Sequence, residues 1–173
     1  MNNKKVDVKS ITIAGLLTAL SIIIPLLPLP KIIIGPFTAT FAAHVPGILA
    51  MFVNPFVVVC TAIGSFIGFA PVMFPVVSLR ALTHVFFGLA GYYMLKNNWN
   101  IFLVVGITML IHGASEVVVA LFFGNAFTAI WLTTGIFTMI HHCIDFTFAM
   151  LLFKALKMAN VFDGSINVRS LKA

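Results

Sequence analysis

Six apolar runs of near-spanning length, separated by proline, glycine and asparagine breaks, leave this chain few ways to fold. They cover about residues 11–28, 38–53, 56–74, 78–95, 100–123 and 130–157. A helix needs about 20 apolar residues to cross the hydrocarbon core, and only helices and closed barrels satisfy their own backbone in lipid. The composition agrees. Of 173 residues, 61% are hydrophobic and 8% charged, with a mean hydropathy of +1.15, whereas a soluble domain carries about 25% charged residues. The expectation is an all-α integral membrane protein, a six-helix transmembrane bundle forming a single domain over residues 1–173. No stretch is left over for a water-soluble domain, so any nucleotide hydrolysis belongs to another chain.

The breaks have local causes. Pro25, Pro28 and Pro30, followed by Lys31 to Pro36, stop the first helix, and the apolar Ile32 to Ile34 make the stretch read as an ordered loop held against the membrane. Asn54-Pro55, Pro71 to Pro75, Lys96 to Asn100 and Gly124-Asn125 supply the others. The polar, basic start followed by a long apolar run without a small-residue cleavage site reads as an uncleaved first span. Cys60 and Cys143 sit in apolar runs and read as small hydrophobes rather than a disulfide.

The formal charge of +6 does not form a nucleic-acid-binding face, because the basic residues gather at the ends and in one loop. With six spans, both termini fall on one side together with Lys4, Lys5, Lys9, Lys96, Lys154, Lys157, Arg169 and Lys172. The other side keeps Lys31 and at most Arg80 besides. Positive residues favour the cytoplasm, so both termini are expected inside and the proline-rich loop outside.

Ionisable groups in the bilayer are costly and mark candidate sites. Arg80 and His84, His112 and Glu116, and His141 and Asp145 each lie four apart, the spacing that shares a helix face. Three consecutive helices would each turn a polar pair inward, with His44 as a fourth wall. Counting helical rise from the outer ends places Arg80, His84, His44 and Glu116 about 3–12 Å deep and His141 and Asp145 nearer the midplane. The cavity would open outward. Arg80 offers a planar fork for a carboxylate, the histidines offer donors and acceptors, and a small organic acid fits. The competing reading is that Arg80 pairs with Glu116 or Asp145 as structural glue, and the two readings are compatible.

His112-x-x-x-Glu116 and His141-x-x-x-Asp145 also have metal-ligand spacing, but without H-E-x-x-H or a nearby cysteine pair the expectation is no metal and no cofactor. His142 reads as a lining or packing residue. Gly64 and Gly68 form a G-x-x-x-G, and Ala14, Gly15, Thr18 and Ala19 give a small-residue face on the first span. The glycines point to internal packing. The first-span face suits either internal packing or docking of another membrane subunit.

The stretches IAGLLTALSIIIP, FTATFAAHVPGILAMFVNP, SLRALTHVFFGLAG, IHGASEVVVALFFG and MIHHCIDFTFAMLLFKAL resemble the substrate-binding S component of an energy-coupling factor (ECF) vitamin transporter. The resemblance runs over about residues 11–157 and is greatest to the niacin-type subgroup, with the pantothenate type similar. It implies a multi-pass protein of a bacterial plasma membrane that takes a vitamin from outside. Its partners would be a shared transmembrane coupling subunit and two cytoplasmic ATPases. It maps partner docking onto Ala14, Thr18 and Ala19 and a lid onto Pro30, Lys31, Gly35 and Pro36. The chain departs from the pattern at Ala43-His44, where a serine is expected before the histidine.

The leading expectation is therefore a non-enzymatic vitamin-binding subunit, with Arg80, His84, His112, Glu116, His44 and His141 around a carboxylate vitamin. An autonomous proton-coupled carrier is second, disfavoured by the absence of paired halves. An intramembrane metal-dependent enzyme is third.

Overall fold

The computed structural model describes residues 7–124 and 130–160. Lys4, Lys5, Asn125, Arg169 and Lys172, used above for orientation and breaks, lie outside the described residues. Three helices start at polar residues that cap them. Asp7 accepts the Ser10 N–H at 2.6 Å to open α1, Val8–Leu26. Asn54 accepts the Val57 N–H at 3.0 Å to open α3, Pro55–Phe69, which has proline at its first turn. Asn100 does the same for α6, Ile101–Leu121, through the Phe102 N–H at 2.8 Å.

Between α1 and α3 the chain departs from expectation. Residues 38–53 do not form one helix. Lys31–Ile34 (β1) and Phe37–Thr40 (β2) pair as an antiparallel hairpin in the register Lys31↔Thr40 to Ile34↔Phe37. Gly35 at φ +55° makes the turn. Isoleucine and threonine are β-branched and suit a strand, and this short segment has one exposed face (β1) and one largely buried strand (β2). A turn over residues 41–44 follows, with Ala42 at φ 63°, and only Val45–Ala50 (α2) is helical. The apolar run therefore contains a strand, a turn and a short helix. Hydropathy could not separate these because all three are apolar.

The expected fourth span is also interrupted. It forms α4, Pro75–Leu82, and α5, His84–Lys96, which break at Thr83. The Thr83 hydroxyl donates to the Arg80 carbonyl at 2.6 Å, capping α4 from within. The last helix opens with one π-turn, Trp131–Gly135, and continues as α7, Ile136–Met158. With α4–α5 taken as one broken rod, the six expected segments occur in order. Three of them, Val8–Leu26, Ile101–Leu121 and Trp131–Met158, are long and apolar enough to cross a membrane, and Pro55–Phe69 is a shorter apolar helix.

Helix α1 packs along α3 at the G-x-x-x-G. A Cβ built on Gly64 would lie 2.8 Å from the Thr18 carbonyl oxygen, and one on Gly68 would lie 2.6 Å from that of Ile22. The two backbones therefore approach more closely than any side chain permits. The core is a continuous apolar cluster from α1, α2, the turn after α2, α3, α5, α6 and α7, including Leu17, Ile48, Leu49, Met51, Phe52, Val57, Phe87, Leu95 and Phe153. The outer surface is apolar too. Phe74, Phe102, Leu132 and Phe122 are among its exposed residues, as expected where the solvent is lipid.

Candidate functional site

The polar interior lies where the hairpin, the α4–α5 break, α6 and α7 meet. It is built around His44, which the turn after β2 places in the protein interior. The Asp145 carboxylate on α7 accepts the Ala42 N–H at 3.1 Å and the His44 N–H at 3.0 Å. It also lies 2.9 Å from His44 Nδ1. The turn's backbone donors, which a helix would have satisfied, are thus met by one buried side chain.

Around His44 the rings of His84, His112 and His141 lie with centroids at 4.8, 4.5 and 4.6 Å. His142 is farther, at 6.2 Å. His141 and Asp145, expected nearer the midplane, belong to the same cluster. The depth count assumed helix on every side, whereas the strand and turn carry His44 inward to meet them.

Arg80 is 2% exposed. Its guanidinium donates to Glu116 Oε2 at 2.7 Å and to the Pro36 carbonyl at 3.0 Å, while its Nε–H has no partner. The Arg80–Glu116 pairing weighed above is therefore present, and it leaves the Nε–H without an acceptor. Thr138, one turn into α7, donates to the same Glu116 oxygen at 2.5 Å. The break at Thr83 separates Arg80 and His84 between two helices, yet both remain buried and face the same space.

That space is a narrow cavity of ≈ 20 Å³, room for about one water. Its wall contains Thr38 and Thr40 of the hairpin together with His44, Arg80, His84, Glu116 and His141. A larger ligand requires the walls to move, and the hairpin is the smallest element that could do so. It is held by the Arg80–Pro36 bond and by Lys31 Nζ donating to the Pro25 carbonyl at 3.0 Å. Of the residues assigned above to a lid, Lys31 begins β1, Gly35 and Pro36 make the turn, and Pro30 accepts the Phe41 N–H at 3.1 Å.

His112 packs behind the cavity wall against the rings of His44 and His84, with centroids at 4.5 and 5.0 Å. Its Nδ1 lies 3.2 Å from His142 Nδ1, and His142 Nε2 lies 3.1 Å from the Thr108 hydroxyl. Sequence reasoning missed Thr108, Thr138 and the polar role of His142. The four-residue spacing of Thr108 to His112 and of Thr138 to His142 was the available signal.

The small face of α1 divides. Ala14 is 4% exposed and belongs to the core, and Thr18 meets Gly64, whereas Gly15 and Ala19 are exposed. The expected docking residues thus fall partly inside the bundle.

The chain is similar to the niacin transporter NiaX of Lactococcus lactis subsp. cremoris (strain MG1363), with 44% identity over 94 residues. The aligned part is 54% of this chain and 42% of that protein, so the chain matches less than half of the relative's length. No family model and no solved structure matches the chain.

Proposed function

We propose that this protein is the substrate-binding membrane subunit of an ECF-type, ATP-driven vitamin uptake system, and that its ligand is niacin in the carboxylate form. The observation that carries the reading is Arg80, a buried cation with an unsatisfied Nε–H on the wall of a cavity closed by a hairpin. A carboxylate supplies the acceptor that this donor lacks. The imidazoles of His44, His84 and His141 on the same wall offer faces and edges for an aromatic ring once the hairpin moves and the cavity widens. Similarity to a niacin transporter supports nicotinate over pantothenate, a longer and more flexible carboxylate.

In this reading both termini face the cytoplasm and the hairpin faces outward, as the loop lysines suggest. The coupling subunit docks on the exposed part of α1 around Gly15 and Ala19. ATP is hydrolysed by partner subunits. Vitamin enters when the Pro36 carbonyl leaves Arg80 and the hairpin lifts, and the ion pair with Glu116 keeps the guanidinium neutralised while the cavity is open.

Binding of labelled nicotinate to purified protein tests the proposal. Arg80→Ala is expected to weaken it by about 2–5 kcal/mol, the effect of removing one partner of a buried charged hydrogen bond. Arg80→Lys keeps the charge but loses the fork, and should recover only part of the affinity. Pantothenate serves as the competitor. Displacement of nicotinate by pantothenate at equal concentration would shift the assignment to the second vitamin.

A further inference from the structure

The hydrogen-bond chain through α6 and α7 fixes where the imidazole protons sit. The Thr108 hydroxyl lies 2.7 Å from the Val104 carbonyl, which can only accept, so its proton points there and its lone pair receives His142 Nε2–H at 3.1 Å. A neutral imidazole carries one N–H. His142 Nδ1 is therefore bare and accepts from His112 Nδ1–H at 3.2 Å, which leaves His112 Nε2 bare. That nitrogen is buried, has no hydrogen-bond partner, and faces Glu116 Oε1 at 3.4 Å. Two acceptors aimed at each other in a dry interior repel unless a proton or a metal cation sits between them.

His44 reaches the same condition independently. Its Nδ1 faces the Asp145 carboxylate at 2.9 Å, which only accepts, so the proton of the neutral ring sits on Nδ1 and Nε2 is the atom left to bind a cation. A carboxylate behind an imidazole is the arrangement that orients metal-bound histidines. Glu116 Oε2 is taken by Arg80 and Thr138, leaving Oε1 open. One ligand atom from each of His44, His84, His112 and Glu116 lies within 4.8 Å of the others. The 3.4 Å between His112 and Glu116 already matches the edge of a tetrahedron with zinc-type bonds, about 3.3 Å.

We infer that His44, His84, His112 and Glu116 form a binding site for one divalent d-block cation of the zinc class, with Asp145 and His142 as the residues that set the tautomers. Three imidazoles and one carboxylate are a ligand set of borderline softness that suits zinc. Charge supports it further. Glu116, Asp145 and Arg80 leave one net negative charge. A divalent cation turns this into one net positive charge, which a monoanionic carboxylate ligand neutralises. The inference concerns the pocket assigned above to the vitamin, but it stands on the ring tautomers and does not rest on nicotinate.

The test uses the full chain, tag-free, in detergent, stripped with a chelator and then equilibrated with Zn²⁺ alone. After gel filtration it should retain one zinc per chain. X-ray absorption should show only nitrogen and oxygen neighbours at about 2.0–2.1 Å, with imidazole scattering. Co²⁺ in its place should give the intense visible bands of a tetrahedral ion. His112→Ala and Glu116→Gln should each abolish stoichiometric retention, and Asp145→Asn should weaken zinc binding by about 10–100-fold. Wild-type protein that retains no zinc, or variants that retain it fully, would overturn the inference. Nicotinate binding measured on the stripped protein separates the two readings. Zinc without nicotinate removes the vitamin and keeps the metal site, and nicotinate binding to a protein that never takes up zinc does the reverse.

Discussion

At the scale of single residues, the site is a set of buried charges that depend on one another. Removing one partner of a buried ion pair leaves the other uncompensated, at a cost of about 3–5 kcal/mol. Glu116→Gln should therefore lower the unfolding midpoint markedly, because the buried Arg80 charge is left with only neutral acceptors. The double variant Arg80→Met, Glu116→Leu should recover most of that stability while losing nicotinate binding, and thermal unfolding in detergent with a parallel binding assay distinguishes the two effects. Asp145 offers a second case. It accepts two backbone N–H groups and the His44 ring, so Asp145→Ala should expose the 41–44 turn to hydrogen exchange before the helices loosen. These pairings were only partly legible in the sequence. Four-residue spacing placed Arg80, His84, His112, Glu116, His141 and Asp145 on inward faces, but it could not pair Arg80 with Glu116 rather than Asp145. That choice is set between helices, at a range of sequence separation no periodicity reaches.

At the scale of elements, the long helices were readable and the short ones were not. Spans near 11–28, 100–123 and 130–157 correspond to α1, α6 and the Trp131–Met158 segment, because length and caps act locally. The hairpin and the Thr83 break were hidden in apolar runs. Their reasons are a turn satisfied by a distant carboxylate and a hydroxyl that caps α4, neither of which alters hydropathy. The α1–α3 contact yields a prediction of its own. Gly68→Ala should destabilise the bundle by more than the same change at Gly15, since a Cβ at Gly68 meets the Ile22 backbone at 2.6 Å while Gly15 has open space around it. The denaturation midpoints of the two variants compare them directly. At the start of α1, the Ser10 backbone N–H holds the Asp7 carboxyl below its ordinary value of 3.8. A depressed carboxylate pKa contributes stability above its unfolded value, and that contribution is lost as pH falls through the folded one. Acidification below pH 3.8 should therefore fray α1 first, seen as faster amide exchange at Ser10 and Ile11.

At the scale of the whole molecule, the polar groups gather at one end of the bundle and an apolar plug fills the rest. The orientation proposed from the loop charges can be checked with single cysteines. A thiol-reactive reagent that does not cross membranes should label position 33 from outside intact cells and position 98 only after permeabilisation. Reconstituted alone, the protein should bind nicotinate but accumulate none inside liposomes, with or without a pH gradient. Accumulation driven by the gradient would favour a self-sufficient carrier.

Five imidazoles and two carboxylates in a lipid-embedded protein would ordinarily form a wire for protons. Below them, toward the end that carries Lys96, Phe87 packs against His142, and Phe52 stacks on Phe153 at 4.2 Å among Leu49, Met51 and Leu95. These side chains form an apolar seal on that side of the ionisable groups. Such a seal predicts that vesicles loaded with the protein alone keep an imposed membrane voltage as long as empty ones do.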